Sequence, residues 1–210
     1  MIIEVWSDVV CPWCFIGKRR LEKALAQLSY GDEIIVRHRA FELAPDAQET
    51  VPTGKYLAEK YRVSSEEVRQ MEANVCAVAD DEGLCYDLDK TLSGNTFDAH
   101  RLLLWAATFG KQDQLLEAMY SGYFEKSLPL FSHQDLCSIA GVIGIQEAEI
   151  IEILTSDQFK NEVRADRELA LALGVTGVPY FLVDKKFAIS GAQPSEVFIE
   201  RLERAWREKA

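Results

Sequence analysis

The chain has 210 residues, room for one large domain or a small one carrying a second, and 48% of them are hydrophobic against 27% charged, which excludes intrinsic disorder. Lys and Arg number 23 against 34 Asp and Glu, a net charge of −11, so neither nucleic acid nor an anionic membrane surface is an expected partner. No apolar run is long enough to span a bilayer, and the opening Met1-Ile2-Ile3-Glu4-Val5 has no basic n-region or small-residue cleavage site, so a cytoplasmic protein is expected.

Ile2, Ile3, Val5 and Trp6 form a β-branched and aromatic run that predicts a first strand, broken by Ser7 and Asp8. Cys11-Pro12-Trp13-Cys14 follows, and Phe15, Ile16, Leu21, Leu25 and Leu28 then recur at helical spacing, which places both thiols in the first turn of a helix. The attacking species in disulfide exchange is a thiolate, and the unpaired N–H groups and positive dipole end of a helix stabilise negative charge there. Cys11 is therefore expected to be the attacking thiol, with a lowered pKa, and Cys14 its resolving partner. Pro12 suits an early helical position, because its φ is already helical and its missing N–H has no partner to lose. Trp13 is expected to shape access to the thiols. Glu4 either faces solvent or is a buried carboxylate able to take the proton of Cys14.

Gly31 and Asp32 mark a turn, and Ile34, Ile35, Val36, His38, Ala40 and Phe41 predict a second strand. A CxxC pair beside a βαβ pattern is the sequence sign of a thioredoxin-like redox site. From residue 45 the pattern changes. Residues 55–62, 65–82, 97–109, 111–125, 132–142 and 146–155 carry helical apolar spacing without β-branched alternation. Ser64 to Glu67 and Ser132 to Asp135 supply helix starts, and Gly83, Gly110 and Gly144 supply stops. Another helix is predicted over 157–173, ended by Gly174. The run Val175 to Val183 then passes through Val178-Pro179 into a strand, Lys185-Lys186 turns it, Phe187 to Ile189 pairs with it, and a last helix ends near Arg207. The predicted class is α/β, with residues 1–44 and 157–210 forming one discontinuous domain and 45–156 an all-helical insertion.

Five cysteines, an odd number, do not read as a disulfide framework. Cys76, Cys85 and Cys137 are expected to be small buried apolar residues, with a Cys76–Cys85 accessory disulfide as the lesser reading. These three and the three histidines supply no second CxxC and no HxxxH, so no metal site is expected.

With Cys-Pro-Trp-Cys at 11–14, Gly177-Val178-Pro179 entering a strand, a helical insertion between them, and Asn95-Thr96-Phe97-Asp98-Ala99-His100-Arg101-Leu102 opening an insertion helix, the chain resembles the DsbA-like thioredoxin superfamily, and more narrowly its FrnE-type cytoplasmic oxidoreductases. The resemblance implies a thioredoxin-like fold with a large helical insertion. It also implies a cis Val178–Pro179 bond facing the CxxC pair, where the backbone of Val178 holds an extended substrate. If the insertion covers the dithiol, Asn95 and His100 line a substrate pocket, although a satisfied structural role is the stronger reading for His100. Gln193 either touches bound peptide or glutathione or only helps to start the last helix. The expected activity is thiol:disulfide exchange with a protein or small-molecule substrate, with no bound cofactor. The same superfamily contains kappa-class glutathione transferases and 2-hydroxychromene-2-carboxylate isomerases, which typically carry serine in place of the first cysteine; they leave glutathione open as a co-substrate and a glutathione-dependent transferase or isomerase as the alternative. A non-redox holdase is a third reading. Substrate, electron direction and oligomeric state are not readable from the sequence.

Overall fold

The computed structural model describes residues 1–209. β1 (Ile2–Ser7), α1 (Pro12–Leu25) and β2 (Ile35–Ala40) make the opening βαβ unit, and β5 (Tyr180–Val183), β6 (Phe187–Ser190) and α9 (Ser195–Lys209) complete it from the far end of the chain. The sheet order is β2-β1-β5-β6, with β2 parallel to β1 and the other two pairings antiparallel. Successive side chains of β1 point to opposite faces. Ile3 and Val5 pack with Leu21 and Ala24 of α1 and Phe198 and Leu202 of α9, whereas Trp6 faces Val175, Leu182 and Ala170 of α8 (Lys160–Ala172). The Trp6 indole, fully buried, donates to the Asp166 carbonyl at 2.9 Å. This is the α/β thioredoxin-like core with a large helical insertion.

The insertion contributes α2 (Thr53–Tyr61), α3 (Ser65–Asp81), α4 (Phe97–Ala107), α5 (Gln112–Tyr120), α6 (His133–Gly141) and α7 (Glu147–Thr155). Ser64 with Glu67 and Ser132 with Asp135 form reciprocal capping boxes, each satisfying two N–H groups left open at a helix start. Its apolar core is continuous with α1: Cys11, Cys14, Phe15 and Ile16 belong to one buried cluster with Leu102, Leu115 and Met119. The junction is further tied by Arg101, 1% exposed, whose guanidinium donates to the carbonyls of Ile153, Leu154, Ser156 and Gln158 and pairs with Asp98. Arg101 thus adds donors to the carbonyls at and just beyond the end of α7, where Ser156 caps only Ile153.

Three local features depart from the predicted elements. α8 begins at Lys160, not 157, because Phe159 adopts φ 61° and cannot continue a right-handed helix. The segment 111–125 is not one regular helix, since residues after Tyr120 widen into a π turn, Ser121–Glu125. Two-residue strands β3 (Val51–Pro52) and β4 (Leu92–Ser93) pair inside the insertion, too short to show alternation in sequence. Edge strand β2 is covered by side chains: the Gln112 amide bonds both the N–H and the C=O of His38 (3.2 and 3.0 Å), and Asp166 accepts the N–H of Ala40 at 3.0 Å.

Candidate active site

Cys11 is the N-cap of α1, with extended backbone (φ −94°, ψ 111°), Pro12 is its first helical residue, and Cys14 closes the first turn by donating its N–H to the Cys11 carbonyl at 2.9 Å. The Cys11 N–H is taken by the Asp8 carbonyl at 3.1 Å, so a tight turn after β1 delivers the thiol to the helix end. The dithiol therefore sits where free N–H groups and the helix dipole favour an anion, as the spacing of Phe15, Ile16 and Leu21 predicts. Both cysteines are free thiols and both are buried, Cys11 5% and Cys14 3% exposed, while Trp13 between them is 42% exposed. Burial, and then the hydrogen bond and charge of Cys11, push the Cys14 thiol well above its ordinary value.

The Val178–Pro179 peptide bond is cis, and the Cys11 thiol donates to the Val178 carbonyl at 3.6 Å, which joins two segments 167 positions apart. This approach needs Gly17, one turn beyond the cysteines. A Cβ there would stand 3.0 Å from Pro179 Cγ and 3.2 Å from Phe181 Cζ, so the absence of a side chain lets the proline loop lie against α1. Gly17 leaves little trace in the sequence, a glycine inside an apolar helical pattern whose best signal is its mismatch with helix propensity. An aromatic wall backs the pair: Phe15 stacks on Tyr120 at 4.9 Å, Tyr86 on Phe124 at 4.9 Å, and the Tyr86 hydroxyl donates to the Pro12 carbonyl at 2.8 Å. Burial pushes the Tyr86 phenol far above its ordinary value, so it stays a donor. A cavity of about 610 Å³ between α1, β2 and the insertion reaches Cys14, with His38 and Tyr120 on its wall.

Other expected site residues lie differently. His100 is 2% exposed on α4 and meets Asp8 Oδ1 through Nε2 at 3.2 Å, so it stands inside the protein and does not line an open pocket. Asn95 is committed at both ends of its amide, Nδ2 donating to the Pro45 carbonyl (2.7 Å) and Oδ1 accepting from Phe97 N (2.8 Å), a tie at the start of α4 in place of a substrate contact. Gln193 is exposed, and its amide donates back to the Ser190 carbonyl at 2.8 Å in the turn before α9. Glu4 is buried, but it is bound by Arg39 of β2; the carboxylate whose charge acts on Cys14 belongs to Asp8. Cys85 is exposed, contrary to the burial expected of it, because it lies in the irregular stretch after α3; Cys76 and Cys137 are half-buried.

A family profile described as the DSBA-like thioredoxin domain matches residues 2–203. The structure of a probable DsbA oxidoreductase, SCO1869 from Streptomyces coelicolor, is 41% identical, with a TM-score of 0.95 over 100% of this chain and 92% of that one. The cytosolic disulfide reductase DsbM from Pseudomonas aeruginosa with GSH is 15% identical, with a TM-score of 0.65 over 97% of this chain and 100% of that one. A 2-hydroxychromene-2-carboxylate isomerase is 13% identical, with a TM-score of 0.73 over 100% and 98%. The last two likenesses are of fold.

Proposed function

The chain belongs to the family of DSBA-like thioredoxin domains, and on that premise we propose that it is a thiol:disulfide oxidoreductase of the FrnE-type branch, working through Cys11 and Cys14. The observation that carries this reading is the placement of Cys11 at the N-terminus of α1, in hydrogen-bond contact with the Val178 carbonyl and beside Cys14, whose proton affinity it raises. In the reducing direction the Cys11 thiolate attacks one sulfur of a substrate disulfide, and the other sulfur leaves as a thiolate. Cys14 then gives up its proton and attacks the Cys11 sulfur of the mixed disulfide. The second substrate thiol departs, the substrate has gained two electrons, and the protein holds a Cys11–Cys14 disulfide. The reverse sequence oxidises a dithiol. The raised proton affinity of Cys14 makes it the later of the two thiols to react.

Val178 and Pro179 bound the substrate side of the dithiol, where the backbone of Val178 receives an extended chain or a glutathione peptide bond, with Trp13 exposed between the two cysteines. Glutathione is the small-molecule co-substrate that this reading favours, and a cytoplasmic setting goes with it, on the likeness to a cytosolic disulfide reductase seen with GSH. The test is insulin reduction and dithiol oxidation by wild type, Cys11→Ser and Cys14→Ser. The reading expects wild type to turn over in at least one direction and Cys11→Ser in neither; a Cys11→Ser protein with full activity defeats it. The likeness to an isomerase supports the second reading, a glutathione-dependent transferase or isomerase. Its mark is glutathione-dependent turnover that survives Cys14→Ser.

A further inference from the structure

Behind the dithiol lies a buried carboxylate held by the insertion. The Asp8 side chain is wholly inaccessible; Oδ2 accepts the Leu43 N–H at 2.7 Å and Oδ1 meets His100 Nε2 at 3.2 Å. The main chain of the same residue acts on both cysteines: its carbonyl takes the Cys11 N–H at 3.1 Å, and its backbone favours the Cys14 thiolate. One residue thus joins the two thiols to an imidazole on α4. A buried carboxylate is costly unless paired, and among the described residues the only side chain able to carry positive charge that bonds Asp8 is that imidazole.

The other groups facing the pair leave its charge uncompensated elsewhere. Glu42, after β2, is buried, and burial raises its carboxyl pKa against the charge of His100. Tyr120 of α5 and Tyr123 beyond it are buried phenols held protonated by desolvation. From α8, Asp166 acts on His100 but is paired with Arg39, and Arg167 acts on Glu42; Asp46 adds a second carboxylate on the Glu42 side. A thiolate formed at the dithiol therefore meets the field of Asp8, and His100 is the group placed to offset it.

We propose that Asp8 and His100 are positioning residues that balance charge for the Cys11–Cys14 couple, the imidazole holding a proton against the thiolate present in the reduced protein. The idea rests on the oxidoreductase reading. Opening the disulfide takes two electrons from a thiol reductant such as glutathione, which is itself oxidised to its disulfide. One proton goes to Cys14, Cys11 is left as thiolate, and a second proton is taken up from water by His100. Re-forming the disulfide returns both. Removing the carboxylate favours the reduced protein; removing the imidazole exposes the thiolate to Asp8 and favours the disulfide.

The experiment measures the equilibrium of wild type, Asp8→Asn, His100→Gln and the double variant with reduced and oxidised glutathione at pH 7, with circular dichroism confirming the fold of each. The expected result is a shift of about tenfold toward the dithiol for Asp8→Asn, an opposite shift of similar size for His100→Gln, and a double variant between the two. A merely structural pair would not move the equilibrium in opposite directions. If both single variants shift it the same way, or by less than threefold, the proposal is overturned. Should the variants fail to fold, the ¹⁵N ring signals of wild-type His100 decide: they move toward the imidazolium pattern on reduction if the pair acts as described, and stay fixed if it does not. A wild type that forms no Cys11–Cys14 disulfide under oxidised glutathione overturns the oxidoreductase reading and this proposal with it, whereas a normal wild-type equilibrium with unshifted variants overturns this proposal alone.

Discussion

Replacing Gly17 by alanine tests the contact that brings the two halves of the site together. In an unhindered helix interior the change gains about 1 kcal/mol from helix propensity. At Gly17 the new methyl would lie 3.0 Å from Pro179 Cγ, 3.2 Å from Phe181 Cζ and 3.6 Å from Ala192 Cβ. Neither of the first two can yield easily: the Pro179 carbonyl is bound by the Gly191 N–H at 2.9 Å, and Phe181, 1% exposed, is packed edge to face on Phe198 with centroids 4.8 Å apart. Overpacking of this kind costs about 1–3 kcal/mol, so the net change is a loss of about 1 kcal/mol, a fall in Tm of roughly 2–4 °C for a chain of this length. Gly141, at the end of α6, is the control: a methyl group there would have nothing within 4 Å, and Gly141→Ala should gain about 0.5–1 kcal/mol. Displacing Pro179 also moves the Val178 carbonyl from Cys11, and about 1 kcal/mol of lost positioning is roughly fivefold in the rate of thiol–disulfide exchange. Thermal melts of both variants and stopped-flow exchange with a model disulfide make the comparison. A Gly17→Ala protein that melts above wild type, as Gly141→Ala should, and exchanges at the wild-type rate refutes the reasoning.

Two further outcomes follow from paired charges. Arg101→Met takes the guanidinium from four carbonyls of the 153–158 segment, of which Ile153 alone keeps other donors, the N–H and Oγ of Ser156, and should lower stability by about 3–5 kcal/mol, read as the urea midpoint; a loss below about 1 kcal/mol would show that water replaces the guanidinium. Asp113 is held at about 2, below the usual carboxylate range, first by its hydrogen bond with His38 and then by the charges of Lys18 and His38. Because its folded-state value is depressed, its contribution is present above the unfolded value near 4 and is lost as pH falls from about 4 to about 2. Its side chain is 66% exposed, so solvent screening limits that contribution to under about 1 kcal/mol. Asp113→Asn should therefore narrow the gap between urea midpoints at pH 5 and pH 2.5, and an unchanged gap contradicts the assignment.

The placement of the candidate site is legible in sequence where local signals carry it. A strand-to-helix switch places Cys11 and Cys14 at a helix start, whereas the pairing of Val178–Pro179 with them comes from the family resemblance. Capping boxes at Ser64 and Ser132 and the left-handed stops at Gly83, Gly110 and Gly144 were readable for the same reason, since each is set by a few neighbouring residues. What escaped depends on contacts across the chain. His100 looks like one more residue on an apolar helix until the fold brings Asp8, 92 positions earlier, against its ring. Glu4 lies within β1 and Asp8 just after it, and only the register that sets Glu4 opposite Arg37, beside Arg39, shows that Glu4 is taken up by an arginine. Gly17 matters because of a proline 162 positions away. The short β3–β4 ribbon and the π turn after Tyr120 leave no periodic trace in so few residues.

The central claim is that Cys11 and Cys14 form one reversible two-electron couple. Equilibrating the protein across ratios of reduced to oxidised glutathione, quenching with acid, alkylating and mapping by mass spectrometry tests it directly. The account predicts a single transition in which Cys11 and Cys14 become linked, following a two-electron curve, while Cys85 remains open to alkylation. A disulfide that forms elsewhere, or a Cys11 that stops at the glutathione mixed disulfide although Cys14 is present, contradicts it.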